Sequence, residues 1–152
     1  YRFVSVVGPP RAGKTSFLIS LFNDDKLFRK TFDNVVIVIP PHSLNSLDQS
    51  TNPFKKIPDE RRFSNLSSIA QIRNLIMFYA SEGMDSILVI DDQASYLKDN
   101  DIQRDLCDIL LNRRHYKCSV ILLTQTFRKM PLDIRKVLDI CFILYKPSKM
   151  DM

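Results

Sequence analysis

Eight residues near the start of the chain, Gly8-Pro9-Pro10-Arg11-Ala12-Gly13-Lys14-Thr15, limit the fold more than any others. They follow the apolar run Phe3-Val4-Ser5-Val6-Val7 and lead into Phe17, Leu18, Leu21 and Phe22, apolar positions at helical spacing. Two glycines separated by four residues and closed by Lys-Thr read as a phosphate-binding loop when a buried strand precedes them and a helix follows. The chain has to leave a strand, wrap a polyphosphate with backbone N–H groups, and enter a helix whose N-terminus faces the anion. Pro9 and Pro10 have no N–H to give, so the donors are expected from Ala12, Gly13, Lys14, Thr15 and Ser16, with Gly8 and Arg11 completing the nucleotide loop. Lys14 is expected to neutralise the outer phosphates as a point charge. The Thr15 hydroxyl is expected to ligate Mg²⁺, which keeps several waters and takes few protein oxygens.

Strands and helices alternate along the rest of the chain. Asn34-Val35-Val36-Ile37-Val38-Ile39 is a β-branched run stopped by Pro40-Pro41 and reads as a second buried strand. Residues 42–65 are polar, proline-bearing and without periodicity, the signature of a long functional or mobile loop. Ser68 and Gln71 form a capping-box pattern ahead of Ile69, Ile72, Leu75, Ile76 and Tyr79, and Gly83 ends that helix. Ser86-Ile87-Leu88-Val89-Ile90 is the third strand, closed by Asp91-Asp92. Asn100 with Gln103 opens a helix on Ile102, Leu106, Ile109 and Leu110, with Arg113-Arg114 at its C-terminal end, where cations suit the dipole. Ser119-Val120-Ile121-Leu122-Leu123 is the fourth strand and ends in Thr124-Gln125. A short turn or helix over residues 131–136 precedes a fifth, Ile140-Cys141-Phe142-Ile143-Leu144. This alternation predicts an α/β fold: a parallel sheet of about five strands with helices on both faces, in a single domain spanning residues 1–152. Tyr1 leads into the first strand without an initiator Met, as expected of a piece of a longer protein.

In an open parallel sheet the ligand lies beyond the carboxyl ends of the strands, so residues that finish separate strands meet. Asp91, after four aliphatic residues, resembles the second nucleotide motif of phosphate-loop enzymes and is expected to hold the Mg²⁺ shell. Asp92 is then placed to polarise an attacking water. Gln125 is placed to sense the terminal phosphate or orient that water. A GTPase is disfavoured, because no glycine stands three residues after Asp91 and no Asn-Lys-x-Asp element follows an apolar strand.

The chain of 152 residues, 45% apolar and 26% charged, suffices for one real core, and no apolar run approaches the about 20 residues that cross a bilayer. Cys107, Cys118 and Cys141 are widely spaced within apolar stretches and read as buried thiols in a reducing, cytoplasmic setting. His42 and His115 have no ligand-like spacing. The net charge of +5 comes largely in pairs, Arg29-Lys30, Lys55-Lys56, Arg61-Arg62, Arg113-Arg114, Arg128-Lys129 and Arg135-Lys136, which together favour a polyanionic partner.

Taken together, the loop, Phe32-Asp33-Asn34-Val35-Val36-Ile37-Val38, the aliphatic run into Asp91-Asp92, Asn112-Arg113-Arg114-His115, and Thr124-Gln125 followed by Pro131, Ile134 and Arg135 resemble a known family. They are similar to the genome-packaging ATPases of poxviruses and nucleocytoplasmic large DNA viruses, within the FtsK/HerA superfamily of P-loop DNA motors. The resemblance covers nearly the whole chain. It implies a strand order 5-1-4-3-2, with the fourth strand beside the phosphate loop, and a homo-oligomeric ring whose ATP sites are each completed by an arginine of the neighbour, at Arg114 or Arg113. It also implies ATP and Mg²⁺ as ligands, double-stranded DNA gripped without sequence reading, capsid portal proteins as partners, and a location in the infected cell's cytoplasm or the virion. Two positions depart from the superfamily: Asp92 stands where glutamate is usual, and Arg11-Ala12 replaces a small Gly-Ser. The alternative function is a nucleoside or nucleotide kinase in which residues 55–62 form a basic lid; a module that binds nucleotide without hydrolysing it is a third.

Overall fold

A computed structural model of the chain describes residues 1–24, 31–45 and 52–145. Six strands form one sheet: β1 (Phe3–Val7), β2 (Asn34–Val38), β3 (Arg62–Phe63), β4 (Ser86–Asp91), β5 (Cys118–Thr124) and β6 (Ile140–Ile143). The helices among the described residues are α1 (Lys14–Asn23), α2 (Pro41–Asn45), α3 (Ile69–Ser81), α4 (Asn100–Leu111) and α5 (Leu132–Arg135). Every strand pair is parallel, in the order β3-β2-β4-β5-β1-β6. The five strands read from sequence keep their expected order, and the difference is a sixth. Strand β3, two residues long, pairs with the edge of β2 through Ile37 opposite Arg62 and Val38 opposite Phe63. Two residues carry no periodicity, so such a strand leaves no trace in the sequence pattern.

Burial explains why the runs become strands. Each central strand is covered on both faces, as parallel sheets require. On one face Val36, Leu88, Ile90, Val120 and Leu122 pack against Ile72 and Ile76 of α3, Leu106 and Ile109 of α4, and Ile134 of α5. On the other face Ile37, Val89, Ile121 and Leu123 meet Leu18 and Phe22 of α1 together with Phe54 and Ile57. Fully burying each such side chain contributes roughly 1.5–3 kcal/mol, which fixes the alternation of sides along every strand.

Residues 52–65 therefore do not form the open loop that their polarity predicts. Phe54 is buried against Phe22, with ring centroids 5.5 Å apart, and the Asn52 side chain accepts from Phe54 N to start a 3₁₀ turn. Arg61 donates to Asn34 Oδ1 at 2.9 Å, and Arg62 pairs with Asp59. The Phe54 and Arg61 contacts, with the pairing of β3 on β2, seat the segment on the sheet edge. The pair Arg29-Lys30 lies outside the described residues. Among the described residues no helix is long and apolar enough to cross a membrane.

Two helix starts differ from the sequence reading. Ser68 caps nothing with its side chain; Asn65 instead accepts from Ser67 N and opens a 3₁₀ turn, Leu66–Ser68, that runs into α3. Helix α4 is capped by Asp99, whose carboxylate accepts from Asp101 N and Ile102 N, while Gln103 reaches back to Leu97 O. In each case the first residue with extended backbone holds the cap, because only there does the side-chain oxygen face the free N–H groups. Asp99→Ala is thus expected to cost about 1 kcal/mol in urea unfolding, with Ser68→Ala within about 0.5 kcal/mol of the parent chain. Equal losses would contradict this assignment of the caps.

Candidate nucleotide-binding site

The register of three strands builds the site. Strand β5 lies between β1 and β4, with Val7 opposite Thr124 and Asp91 opposite Leu123, so three chain segments end at one level. Beyond those ends lies a cavity of about 180 Å³ lined by Lys14, Thr15, Asp91, Asp92, Thr124 and Gln125, together with Ser43, Ala94, Leu123 and Lys129. Lys14, Thr15, Asp91, Asp92 and Gln125 were each singled out from sequence. Ser43 carries no sequence signal and Lys129 only that of a basic pair, since neither lies in a nucleotide motif: Ser43 comes from α2 after β2, and Lys129 from a 3₁₀ turn, Phe127–Lys129, after β5.

The loop is held by its own backbone. Gly8 N donates to Thr124 O at 3.1 Å, tying the loop to β5, and a Cβ at Gly8 would lie 3.1 Å from Leu144 Cβ and from Leu144 O. That close approach to the chain beyond β6 is what requires glycine there. Arg11 and Gly13 both have positive φ, 63° and 90°. Gly13 takes this conformation freely and stands at the N-terminus of α1, whereas Arg11 takes it at a cost of roughly 1 kcal/mol. Ala12 N donates to Pro9 O at 3.1 Å. Its N–H is thereby engaged inside the turn. The N–H groups of Lys14, Thr15 and Ser16, in the first turn of α1, have no intrahelical acceptor and point the helix's positive end outward. Of the loop residues, Lys14 and Thr15 line the cavity; Gly8, Arg11, Ala12, Gly13 and Ser16 form the turn that presents them.

Charge is concentrated at the cavity. Lys14 Nζ donates to Gly8 O at 2.7 Å and Pro9 O at 3.1 Å, and desolvation lowers its pKa against the opposing pull of Asp91 and Asp92. The buried Asp91 carboxyl is pushed up to about 6, first by desolvation and then by the Asp92 carboxylate, with Lys14 and His42 pulling the other way. Asp92 is exposed and has a φ of 55°, a left-handed position that aspartate tolerates better than most residues. Gln93, only 2% exposed, braces the turn: its side chain donates to Asp91 O at 3.1 Å and to Ser64 O, and accepts from Leu66 N at 3.0 Å. Sequence reading passes over Gln93, because a glutamine in a polar turn carries no signal of burial.

A divalent cation fits this donor set. The Thr15 hydroxyl and the Asp91 carboxylate share the cavity, and the like charge of Asp92 that disfavours an ionised Asp91 is relieved by a bound cation.

Arg113 and Arg114 are not in this cavity. They follow α4 at the opposite end of the strands, where Arg113 O accepts from Cys118 N at the start of β5. Arg113 is occupied there: it donates to Leu110 O at 2.6 Å, to Tyr1 O at 3.3 Å, and pairs with Asp139 at 3.2 Å. Arg114 is exposed.

No curated protein matches the chain. The profile of the family described as Poxvirus A32 protein matches residues 1–152, the whole chain. The chain belongs to the poxvirus A32 family. Solved structures similar to this A32 family member include the DNA-packaging ATPase B204 from Sulfolobus Turreted Icosahedral Virus, 17% identical, with a TM-score of 0.68 over 99% of this chain and 78% of that one. B204 from Sulfolobus turreted icosahedral virus 2, in complex with AMPPCP, is 13% identical with a TM-score of 0.66 over the same shares. The Thermotoga maritima RuvB Holliday junction branch migration motor is 13% identical with a TM-score of 0.57, over 94% of this chain and 37% of that one. At such identities the likeness is one of fold, and it places the A32 chain among P-loop NTPase folds.

Because Asp91 keeps its proton in the folded chain to about pH 6, against 3.8 when unfolded, the stability it contributes at low pH is lost as pH rises between those values. Without divalent cation, Asp91→Asn is expected to raise stability at pH 8 by roughly 1–3 kcal/mol and to change it little at pH 4, in unfolding curves with chelator present. The same gain at both pH values would show that Asp91 is not held protonated by its surroundings.

Proposed function

We propose that this chain is the ATP-hydrolysing subunit of a motor that drives viral double-stranded DNA into a capsid. The observation that carries this reading is the convergence of Lys14, Thr15, Asp91, Asp92 and Gln125 on one cavity, in a chain of the A32 family whose fold is shared with packaging ATPases. The substrate is ATP bound with Mg²⁺. Thr15 and Asp91 hold the ion, which when bound withdraws charge from the transferring phosphoryl group. The N–H groups of the first turn of α1 hold the phosphates, and Lys14 leaves the loop carbonyls to join them. Asp92 accepts a hydrogen bond from the attacking water, and Gln125 orients it. The water oxygen bonds to the terminal phosphorus as the bond from that phosphorus to the bridging oxygen breaks; ADP leaves with the electron pair, and the water's proton passes through Asp92 to the phosphate.

Arg113 is spent on carbonyls and on Asp139 of its own chain, so Arg114 is the arginine offered to a neighbour's site in a homo-oligomeric ring. Basic side chains on the ring grip DNA phosphates without reading bases, and portal proteins of the capsid receive the DNA. The alternative, a kinase with residues 55–62 as a basic lid, is disfavoured, since Ile57 and Arg61 of that stretch are held against the sheet.

ATP turnover of the intact protein, measured with and without long duplex DNA alongside assembled mass, tests this function. Stimulation by DNA that fades at high salt is expected; no DNA binding at low salt would end the motor reading. Arg114→Ala is expected to lower turnover on the order of a thousandfold without weakening ATP binding. Arg113→Ala is expected to act mainly on stability, and the reverse pattern would move the trans role to Arg113.

A further inference from the structure

One cation in the cavity has no task in the mechanism above. Lys129 lines the same space as Lys14, Thr15, Asp91, Asp92 and Gln125. Its backbone is fixed: Lys129 N donates to Thr126 O at 3.3 Å, Met130 N to Phe127 O at 3.1 Å, and Met130 and Ile134 are fully buried behind it. Three other basic groups are engaged elsewhere. Arg135 lies over the Phe127 ring at 5.4 Å, and Lys136 is 4.0 Å from Asp133. Lys14 is drawn onto the carbonyls of Gly8 and Pro9. The Lys129 ammonium has no hydrogen bond or ion pair among the described residues.

The charge balance gives it a role. Asp91 and Asp92 oppose Lys14 and Lys129 in the cavity, so the protein's own charges there cancel before any ligand binds. A magnesium-bound nucleoside triphosphate is still an anion, and its terminal phosphate carries the charge that a diphosphate lacks. With Lys14 reaching from the loop after β1, Lys129 brings a second cation to the same cavity from the 3₁₀ turn that follows the strand between β1 and β4. We propose that Lys129 binds the terminal phosphate of the nucleotide in its own chain and so distinguishes triphosphate from diphosphate. This rests on the nucleotide-site reading given above.

The test is calorimetric titration of the intact protein, in Mg²⁺, with AMPPCP and separately with ADP. Lys129→Met is expected to weaken AMPPCP binding about tenfold and ADP binding less than about twofold, with Lys129→Arg recovering most of the loss. Arg128→Met, which removes the adjacent exposed cation, is expected to leave both affinities unchanged. Unchanged AMPPCP affinity in Lys129→Met, an equal loss for both nucleotides, or a loss confined to duplex DNA binding would each overturn the proposal. Wild-type protein that binds neither nucleotide would overturn the site reading itself, a result separable from failure of the Lys129 variant alone.

Discussion

The insertion of β5 between β1 and β4 is the constraint from which the rest follows. Sequence neighbours in a chain of alternating strands and helices would by default lie side by side; here β1 and β2 are separated by two later strands. That arrangement brings the loop after β1, the acids after β4 and the glutamine after β5 to one end of one sheet. Parallel pairing sets their levels to within a residue, and burial on both faces prevents any strand from slipping, because a shift of one residue would turn its aliphatic side chains to the wrong helix layer. The cavity is thus a product of the core, and the residues that line it need no contact with one another to be held together.

What the core positions is electrostatically uncomfortable. A buried carboxyl beside a second carboxylate, an aspartate and an arginine in left-handed backbone, and a lysine turned back on carbonyl groups are all arrangements that a chain selected for stability alone would avoid. On the function proposed here, the phosphates and the cation bound with them offset the charge part of this cost, the like-charged carboxyls and the turned-back lysine. Gln93 shows how the discomfort is contained: three hydrogen bonds from one buried side chain lock the turn after Asp91 to residues 64–66. The two sheet ends divide the labour. The cavity lined by Lys14, Asp91 and Gln125 lies at the carboxyl ends, while Arg113 and Asp139 tie together the amino ends of β1, β5 and β6.

Much of this was legible in the residues, and the limits have physical causes. The glycine-rich loop, the aliphatic run into Asp91 and the run into Gln125 are local patterns whose spacing alone implies strand, turn and helix. The interleaved strand order has no local signature and came from resemblance to a family. The seating of residues 52–65 has no sequence signal, because its burial rests on scattered residues, Phe54 and Ile57, with Leu66 just after them, which lack a common period. The caps lie one to three residues before the positions that side-chain type suggests, since Ser68 and Asn100 carry suitable side chains but Asn65 and Asp99 carry the backbone that can use them. Ser43 and Lys129 reach the cavity through tertiary folding only.

The central claim is that Lys14, Asp91 and Gln125 surround one magnesium triphosphate. The most direct measurement is an experimental structure of the intact protein with Mg²⁺ and a non-hydrolysable ATP analogue. The account predicts phosphates at the N-terminus of α1, the ion between Thr15 and Asp91, and Gln125 beside the terminal phosphate; a nucleotide bound elsewhere, or with Gln125 turned away from it, would contradict it.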